Sequence, residues 1–282
     1  MFLLHGDAKY IDVLERSLYN GVISGVSLDG GAFFYPNPLE SDGRYDREPW
    51  FGCACCPSNI CRFIPSVPGY AYAAKDKDLY VNLFVGGTVT HALAGRPVTL
   101  TQSGGYPWRG DVRLTVDDNR AGTFTLRLRI PGWARGEVVP GDLYAFADEA
   151  PSAWRVCVNG EEQQGALEQG YFCITRRWKA GDEVTLELPV APRFVRAHEA
   201  VEADRGRLAV ECGPIVYCAE WPDNTVDVLQ AEVAATDALT CEFRSDLLGG
   251  VNVIKDGELT LIPYYAWDHR GPGKMEVWLK ER

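Results

Sequence analysis

The sequence predicts a mainly β protein with an α-helical N-terminal part. Three observations carry this expectation. From about Tyr70 onward, short segments alternate apolar and polar residues with period two, the pattern of half-buried strands. Glycine (29) and proline (17) are frequent, which implies many turns and short strands. Before Tyr70, apolar residues recur at helical spacing over residues 8–20.

Taken in order, Asp7 reads as an N-cap and Gly21 as the C′ residue of a helix over 8–20. Tyr10, Val13, Leu14 and Leu18 give it an apolar face. Ile11, Glu15 and Tyr19 form a neighbouring i, i+4 row, which puts Glu15 at the edge of that face, reaching water. Residues 21–49 are loop-rich, with Gly21, Gly25, Gly30, Gly31 and three prolines. Within them Tyr35-Pro36-Asn37-Pro38-Leu39-Glu40 is held extended, because each proline also restricts the residue before it. On its residue type alone, Tyr35 is an ordinary half-buried aromatic. A short helix is expected from Asn59 to about Ile64, ended by Pro65 and Pro68.

The strands follow. Residues 79–85, 98–101, 112–116, 123–130, 154–158 and 184–188 alternate, separated by turn clusters Ser103-Gly104-Gly105, Asp117-Asp118-Asn119 and Asn159-Gly160. Short strands at this spacing indicate an antiparallel sandwich. After Pro189 a second β-rich stretch runs through 207–212, 215–218, 259–265 and 275–279. The chain therefore divides into 1–72, a β-sandwich over 73–190 and a second β-sandwich over 191–282.

Composition excludes some roles. With 46% apolar and 24% charged residues the chain is ordinary for a globular protein. A net charge of −11 argues against nucleic acid or an anionic membrane as partner. No apolar run approaches the roughly 18 residues that span a bilayer. Met1-Phe-Leu-Leu-His-Gly-Asp7 has no basic stretch and turns polar at once, so it reads as no signal peptide. Nine cysteines, an odd number, suit a reducing compartment and a cytoplasmic location. That location holds only if the true N-terminus is present.

The densest chemistry lies in Trp50-Phe51-Gly52-Cys53-Ala54-Cys55-Cys56-Pro57-Ser58-Asn59. Adjacent cysteines bond to one another only with strain. Thiols bounded by Gly and Pro on a loop suit a soft metal such as Zn²⁺ or a reactive thiol. They also suit a small apolar core, and the spacing alone leaves both open. Cys53 reads as packing.

The run WFGCACCPSN, preceded by FFYPNPLES and followed by ICRFIPSVPGYAYA, resembles the active-site segment of glycoside hydrolase family 127, the β-L-arabinofuranosidases and their relatives. The resemblance continues through LYVNLFVGGTV, LRLRIPGWA, GYFCITRRWKAGDEVTLELP and LIPYYAWDHRGPGKMEVWL, nearly the whole chain. The family usually has Pro-Pro-Asn where this chain has Pro57-Ser58-Asn59. The resemblance implies that 1–72 is the end of an (α/α)6 barrel, followed by jelly-roll-like β-sandwich domains, and that the chain is a fragment. It implies Cys55 as nucleophile and zinc ligand, Cys56 as zinc ligand, and Glu15 and Tyr35 as substrate-binding residues. The cofactor is then Zn²⁺ and the partner an arabinofuranoside-containing glycan; a homodimer stays open. The remaining zinc donors and the acid/base glutamate would lie upstream. His5, His91, His198 and His269 are scattered and read as structural or surface residues. A non-catalytic, carbohydrate-binding β-sandwich with a structural zinc–cysteine site is the alternative.

Overall fold

In a computed structural model the chain is described over residues 1–149 and 153–282. It is mainly β, as its alternation predicts, and it divides into two compact units. The first comprises Met1–Val13, Pro65–Gly136 and Pro151–Val190; the second comprises Leu14–Ile64, Glu137–Ala150 and Ala191–Arg282.

The first unit is a sandwich of two sheets. One has the order Glu161–Glu162, Arg155–Val158, Glu183–Glu187, Asp111–Asn119, Arg96–Gly104, Gly87–Leu93. The other has the order Leu167–Glu168, Tyr171–Arg177, Thr123–Arg129, Asp78–Val81, Tyr72–Lys75. Alternate residues of both sheets, among them Val112, Leu114, Val116, Leu126, Leu128, Val184 and Leu186, meet in one apolar core. Each such side chain contributes about 1.5–3 kcal/mol by leaving water. Asn159 and Gly160, both at positive φ, close the hairpin between Arg155–Val158 and Glu161–Glu162, the conformation this pair of residues favours. Asp117-Asp118-Asn119 is not a turn: the strand runs through it, with Thr101 donating to Asp117 (2.7 Å). The chain reverses instead where the Asn119 side chain accepts from the backbone of Ala121 and Gly122.

The N-terminal residues dock on this sandwich. Ala8 N–H donates to the Gln169 carbonyl (2.9 Å), and Asp12 takes the buried Arg129 (2.7 Å) and Arg135 (3.2 Å). Asp7 caps the helix by accepting from Lys9 N–H. The helix Lys9–Arg16 buries Ile11 and Glu15, with Ala8 and Leu18 buried on either side of it, so its inner face is the Ile11–Glu15 row. Tyr10 and Leu14 are half-buried and Val13 is exposed. Glu15, expected at the edge, is only 2% exposed. Nor does Gly21 end the helix: Ser17–Val22 continues as a π-helical turn and Ile23–Gly25 as a 3-10 turn.

The second unit is built on a long sheet of order Glu232–Val233, Leu279–Glu281, Arg207–Cys212, Ile215–Glu220, Leu259–Pro263, Val251–Asp256, Thr240–Arg244. Pro192–Ala197 pairs with Arg207–Cys212, and Lys274–Glu276 pairs with both Ile215–Glu220 and the short strand Glu40–Asp42. That last pairing stitches the proline-rich strap to the sheet.

Candidate functional site

The cysteine segment is less of a loop than its composition suggests. Cys55 and Cys56 are the first two residues of a nine-residue helix, Cys55–Phe63. Pro57 does not break it, because a proline in the first turn lacks only an N–H that has no intrahelical partner there. Ser58 Oγ donates to the Cys55 carbonyl (3.1 Å) and Ser58 N–H to that of Ala54 (3.3 Å). The helix lies close over the 3-10 turn: a Cβ on Gly25 would stand 2.6 Å from Ile60 Cδ1, so any larger residue there obliges the end of the Ile60 side chain to turn aside.

The strap carrying Tyr35 is fixed at both ends. Asn37 accepts from Ser24 Oγ (2.8 Å) and donates to the Gly21 carbonyl (3.1 Å), tying the strap to the helix end. Tyr264 donates to the Pro38 carbonyl (2.9 Å), and Val277 N–H to that of Leu39 (2.9 Å). Beneath it, Phe34 is stacked on Trp267 (5.0 Å) and lies under the Arg47 guanidinium (4.3 Å). Arg47 is buried and donates to the carbonyls of Ser24 (3.0 Å), Trp267 (2.6 Å) and Asp268 (3.1 Å). Burial pulls Arg47 down to about 10 and pushes the Asp268 carboxyl up to about 6.

This frame delivers Tyr35 to the cysteines. The Tyr35 hydroxyl and Cys55 Sγ are hydrogen-bonded at 2.7 Å, and Cys56 Sγ lies 3.8 Å from Cys55 Sγ. Tyr35 is steadied by the edge of Phe51 (5.0 Å). The Tyr35 hydrogen bond first, and Cys56 second, hold the Cys55 thiol below its ordinary range. Cys55 first, and Cys53 second, raise Tyr35, and Cys55 raises Cys56. The positive end of the helix dipole acts in the same sense on a thiolate at this position. Cys55 is exposed and Cys56 half-buried, so the more acidic thiol is the one a small molecule meets.

The structure thus brings Tyr35, Cys55 and Cys56 together and places Glu15 inside, on the helix Lys9–Arg16. Cys53, expected to pack, is exposed, and it bears on the titration of both Tyr35 and Cys55. The alternating spacing of Cys53 and Cys55 was the available signal for it. Nothing local signalled Arg47 or Asn37. His269 is structural, accepting from Leu28 N–H through Nε2 (2.9 Å) while Nδ1 donates to the Ala266 carbonyl (2.8 Å).

Two sulfurs 3.8 Å apart match the separation, about 3.8 Å, spanned by two thiolates each about 2.3 Å from a tetrahedral zinc. Cys55 and Cys56 therefore fit as two of four donors. Among the described residues no group of three or more His, Cys, Asp or Glu gathers as a metal cluster.

Comparison with known proteins matches all three parts of the chain to family models. Residues 1–69 match the GH127 β-L-arabinofuranosidase catalytic domain, 78–190 the GH127 middle domain, and 192–280 the glycoside hydrolase family 127 C-terminal domain. A non-reducing end β-L-arabinofuranosidase of Bifidobacterium longum subsp. longum is 36% identical over 99% of this chain and 46% of its own length. A solved GH127 β-arabinofuranosidase is 52% identical with a TM-score of 0.96, over all of this chain and 47% of its own. The GH127 β-L-arabinofuranosidase of Geobacillus stearothermophilus T6 is 38% identical with a TM-score of 0.89, over all of this chain and 48% of its own. The chain spans about half the length of the relatives it matches.

Proposed function

The chain belongs to glycoside hydrolase family 127, and from that premise we propose that it carries the nucleophile half of a retaining site that releases L-arabinofuranose from β-L-arabinofuranosides. The observation that supports this most directly is the 2.7 Å hydrogen bond between Tyr35 and an exposed Cys55 at a helix N-terminus. In this reading Cys55 Sγ attacks the anomeric carbon and forms a glycosyl thioether, and water later displaces the sulfur. Two inversions give net retention, with sulfur in place of the usual carboxylate nucleophile. Tyr35 holds the sulfur in line and favours its anionic form, and it then lies beside the bound sugar. Glu15, the buried carboxylate of the first helix, accepts from a sugar hydroxyl.

Zn²⁺ held by Cys55 and Cys56 would supply deprotonation of both thiols without a neighbouring base. We place its other donors, and the glutamate that protonates the leaving oxygen and later activates water, outside these 282 residues. The matched family divisions support reading 1–72 as the end of an (α/α)6 barrel and 73–190 and 191–282 as its appended β domains. The exposure of Cys53 and Cys55 speaks against a closed, purely structural metal knot.

The test is alkylation of the purified chain by a bromoacetamide carrying an L-arabinofuranosyl group, followed by peptide mapping, with zinc counted by native mass spectrometry. Cys55 should be modified ahead of the exposed Cys53, Cys61 and Cys241, and Cys55→Ser should lower the zinc count. Equal rates at all four exposed thiols would sink the proposal.

A further inference from the structure

One buried side chain of the second unit links its sheet to the cysteine segment, and the proposed chemistry leaves it without a role. Asn20 lies in the π turn Ser17–Val22 and is 8% exposed. Both donors and the oxygen of its carboxamide are engaged. Nδ2 donates to the carbonyls of Arg16 (2.9 Å) and Pro214 (2.9 Å), and Oδ1 accepts from Val216 N–H (2.8 Å). Pro214 sits in the two-residue turn between Arg207–Cys212 and Ile215–Glu220, closed by the pair Cys212 and Ile215. It is buried, so its carbonyl needs a partner that bulk water does not supply. Val216 lies one residue before the pairing with Leu259–Pro263 starts at Tyr217. Asn20 therefore fills two gaps in the hydrogen bonding of the sheet. Two donors and an acceptor on so short a side chain are what asparagine alone offers. Four residues earlier, Arg16 pairs with the buried Glu211 of the same hairpin. From Asn20 the path to the sulfur is short. The next residue, Gly21, gives its carbonyl to Asn37 Nδ2 (3.1 Å), and Asn37 Oδ1 accepts from Ser24 Oγ (2.8 Å). Pro36 and Pro38 stiffen the chain on either side of Asn37. Tyr35, two residues before it, meets Cys55 Sγ at 2.7 Å.

We propose that Asn20 is a positioning residue of the candidate site: by clamping the π turn to the hairpin turn at Pro214, it holds Tyr35 on the Cys55 sulfur and fixes the helix that carries Glu15. This role rests on the reading of Cys55 as nucleophile and of Tyr35 and Glu15 as substrate-binding residues. Asn20 touches none of the reacting atoms and acts through Asn37. The downstream end of the strap is tied to its neighbours at Pro38 and Leu39. Its other side hangs on the π turn and the 3-10 turn after it, so the place of Tyr35 depends on where these turns sit. Arg47 holds the later turn through the Ser24 carbonyl, whereas Asn20 holds the π turn itself. Without Asn20 the Gly21 carbonyl and the Ser24 hydroxyl move together, and Asn37 passes that movement to Tyr35. A small movement suffices, because a hydrogen bond weakens steeply as it lengthens and bends.

The experiment compares the full chain with Asn20→Ala and Asn20→Ser, each also combined with Tyr35→Phe, all in the presence of a chelator. Asn20→Ser is the milder change, since a serine hydroxyl still bonds to the carbonyl four residues back while losing its reach to Pro214. Iodoacetamide labels the folded proteins, and peptide mapping gives the rate at Cys55 divided by that at Cys61, an exposed thiol on the same helix. A general loosening of the fold acts on both thiols, whereas loss of Tyr35 from the sulfur acts on Cys55 alone. The ratio should fall about two- to tenfold in both single variants, the range that one hydrogen bond spans. Added to Tyr35→Phe, neither substitution should lower it further. A parent-like ratio beside a lowered melting temperature would make Asn20 merely structural and overturn the proposal, as would loss of folding in both variants. A drop that persists in the Tyr35→Phe background would overturn it too, since Asn20 would not then act through Tyr35. Iodoacetamide carries no sugar, so these outcomes do not depend on Cys55 being a glycosidase nucleophile. That reading fails separately, in the parent, where the arabinofuranosyl bromoacetamide would show no preference for Cys55.

Discussion

The sandwich of the first unit and the cysteine segment of the second are stabilised by opposite means. In the sandwich, strands such as Thr123–Arg129 and Asp111–Asn119 bury every second residue, and many near-equivalent apolar contacts share the load. From Phe33 to Phe63 regular structure is sparse, and a few polar and aromatic contacts, centred on Arg47, Phe34, Asn37 and Gly25, each do something no neighbour duplicates. The lesson is that redundancy absorbs the loss of one contact, whereas a geometry built on single interactions does not.

The largest effect should come from the redundant side. Leu128 is fully buried, and Leu128→Ala should cost about 2–5 kcal/mol in urea unfolding. Its Cys55 alkylation rate in the folded protein should stay that of the parent; a changed rate would break the contrast between the regions. Arg47→Ala removes a buried donor to four carbonyls, those of Ser24, Tyr265, Trp267 and Asp268, so it should cost about 2–4 kcal/mol. Here the alkylation rate at Cys55 should change well below the unfolding midpoint, because the strap that holds Tyr35 loses its floor.

The next effect is tied to pH. Glu276 is buried beside Arg207, and burial outweighs the pairing, pushing its carboxyl up to about 7. A folded pKa raised above the unfolded one means stability that is complete below about pH 4.5 and falls as the pH rises through about 7. The whole change should be about 3 kcal/mol, at about 1.4 kcal/mol for each pH unit between about 4.5 and about 7. Glu276→Gln should flatten the stability profile in that window, measured by thermal melts across pH. A profile as steep as the parent's would remove this group from the account. The smallest change in stability belongs to Tyr35→Phe, which should lie within about 0.5 kcal/mol because Tyr35 is 41% exposed. The rate of Cys55 alkylation near neutral pH should nevertheless fall, since the hydrogen bond that favours the thiolate is gone. An unchanged rate would mean that the helix terminus alone sets the reactivity.

These cases also mark what could be read in advance. Strands 111–119 and 123–129 announce themselves by period two, and the Asn159-Gly160 turn by its backbone preference. Asp117-Asp118-Asn119 misleads because turn-forming composition is not turn geometry: Asp118 and Asn119 stay paired in the ladder, and Asp117 is a bulge whose side chain accepts from Thr101 across the strands. Cys55, Cys56 and Tyr35 were legible as a motif, and the contact between Tyr35 and Cys55 gives that motif a shape. Their support was not legible. Arg47 acts on Trp267 and Asp268 from more than two hundred positions away, and no local pattern encodes such a partner. The helix face was misjudged for a related reason, since Asp12 and Glu15 owe their inward placement to the fold around them, Asp12 to two distant arginines.

The wide turn at Ser17–Val22 has a consequence for how the chain can change length. A π turn accommodates one more residue than an α turn, and each residue advances a helix by about 100°. That slack is already taken up, so a further residue inserted there would rotate everything after it. Ser24 would then swing away from Asn37, and Gly25 from Ile60. Hairpin loops elsewhere in the chain can gain or lose residues at little cost. This turn is a spacer whose residue count sets the angular phase between the helix and the strap, so insertions there should be selected against even where substitutions are tolerated.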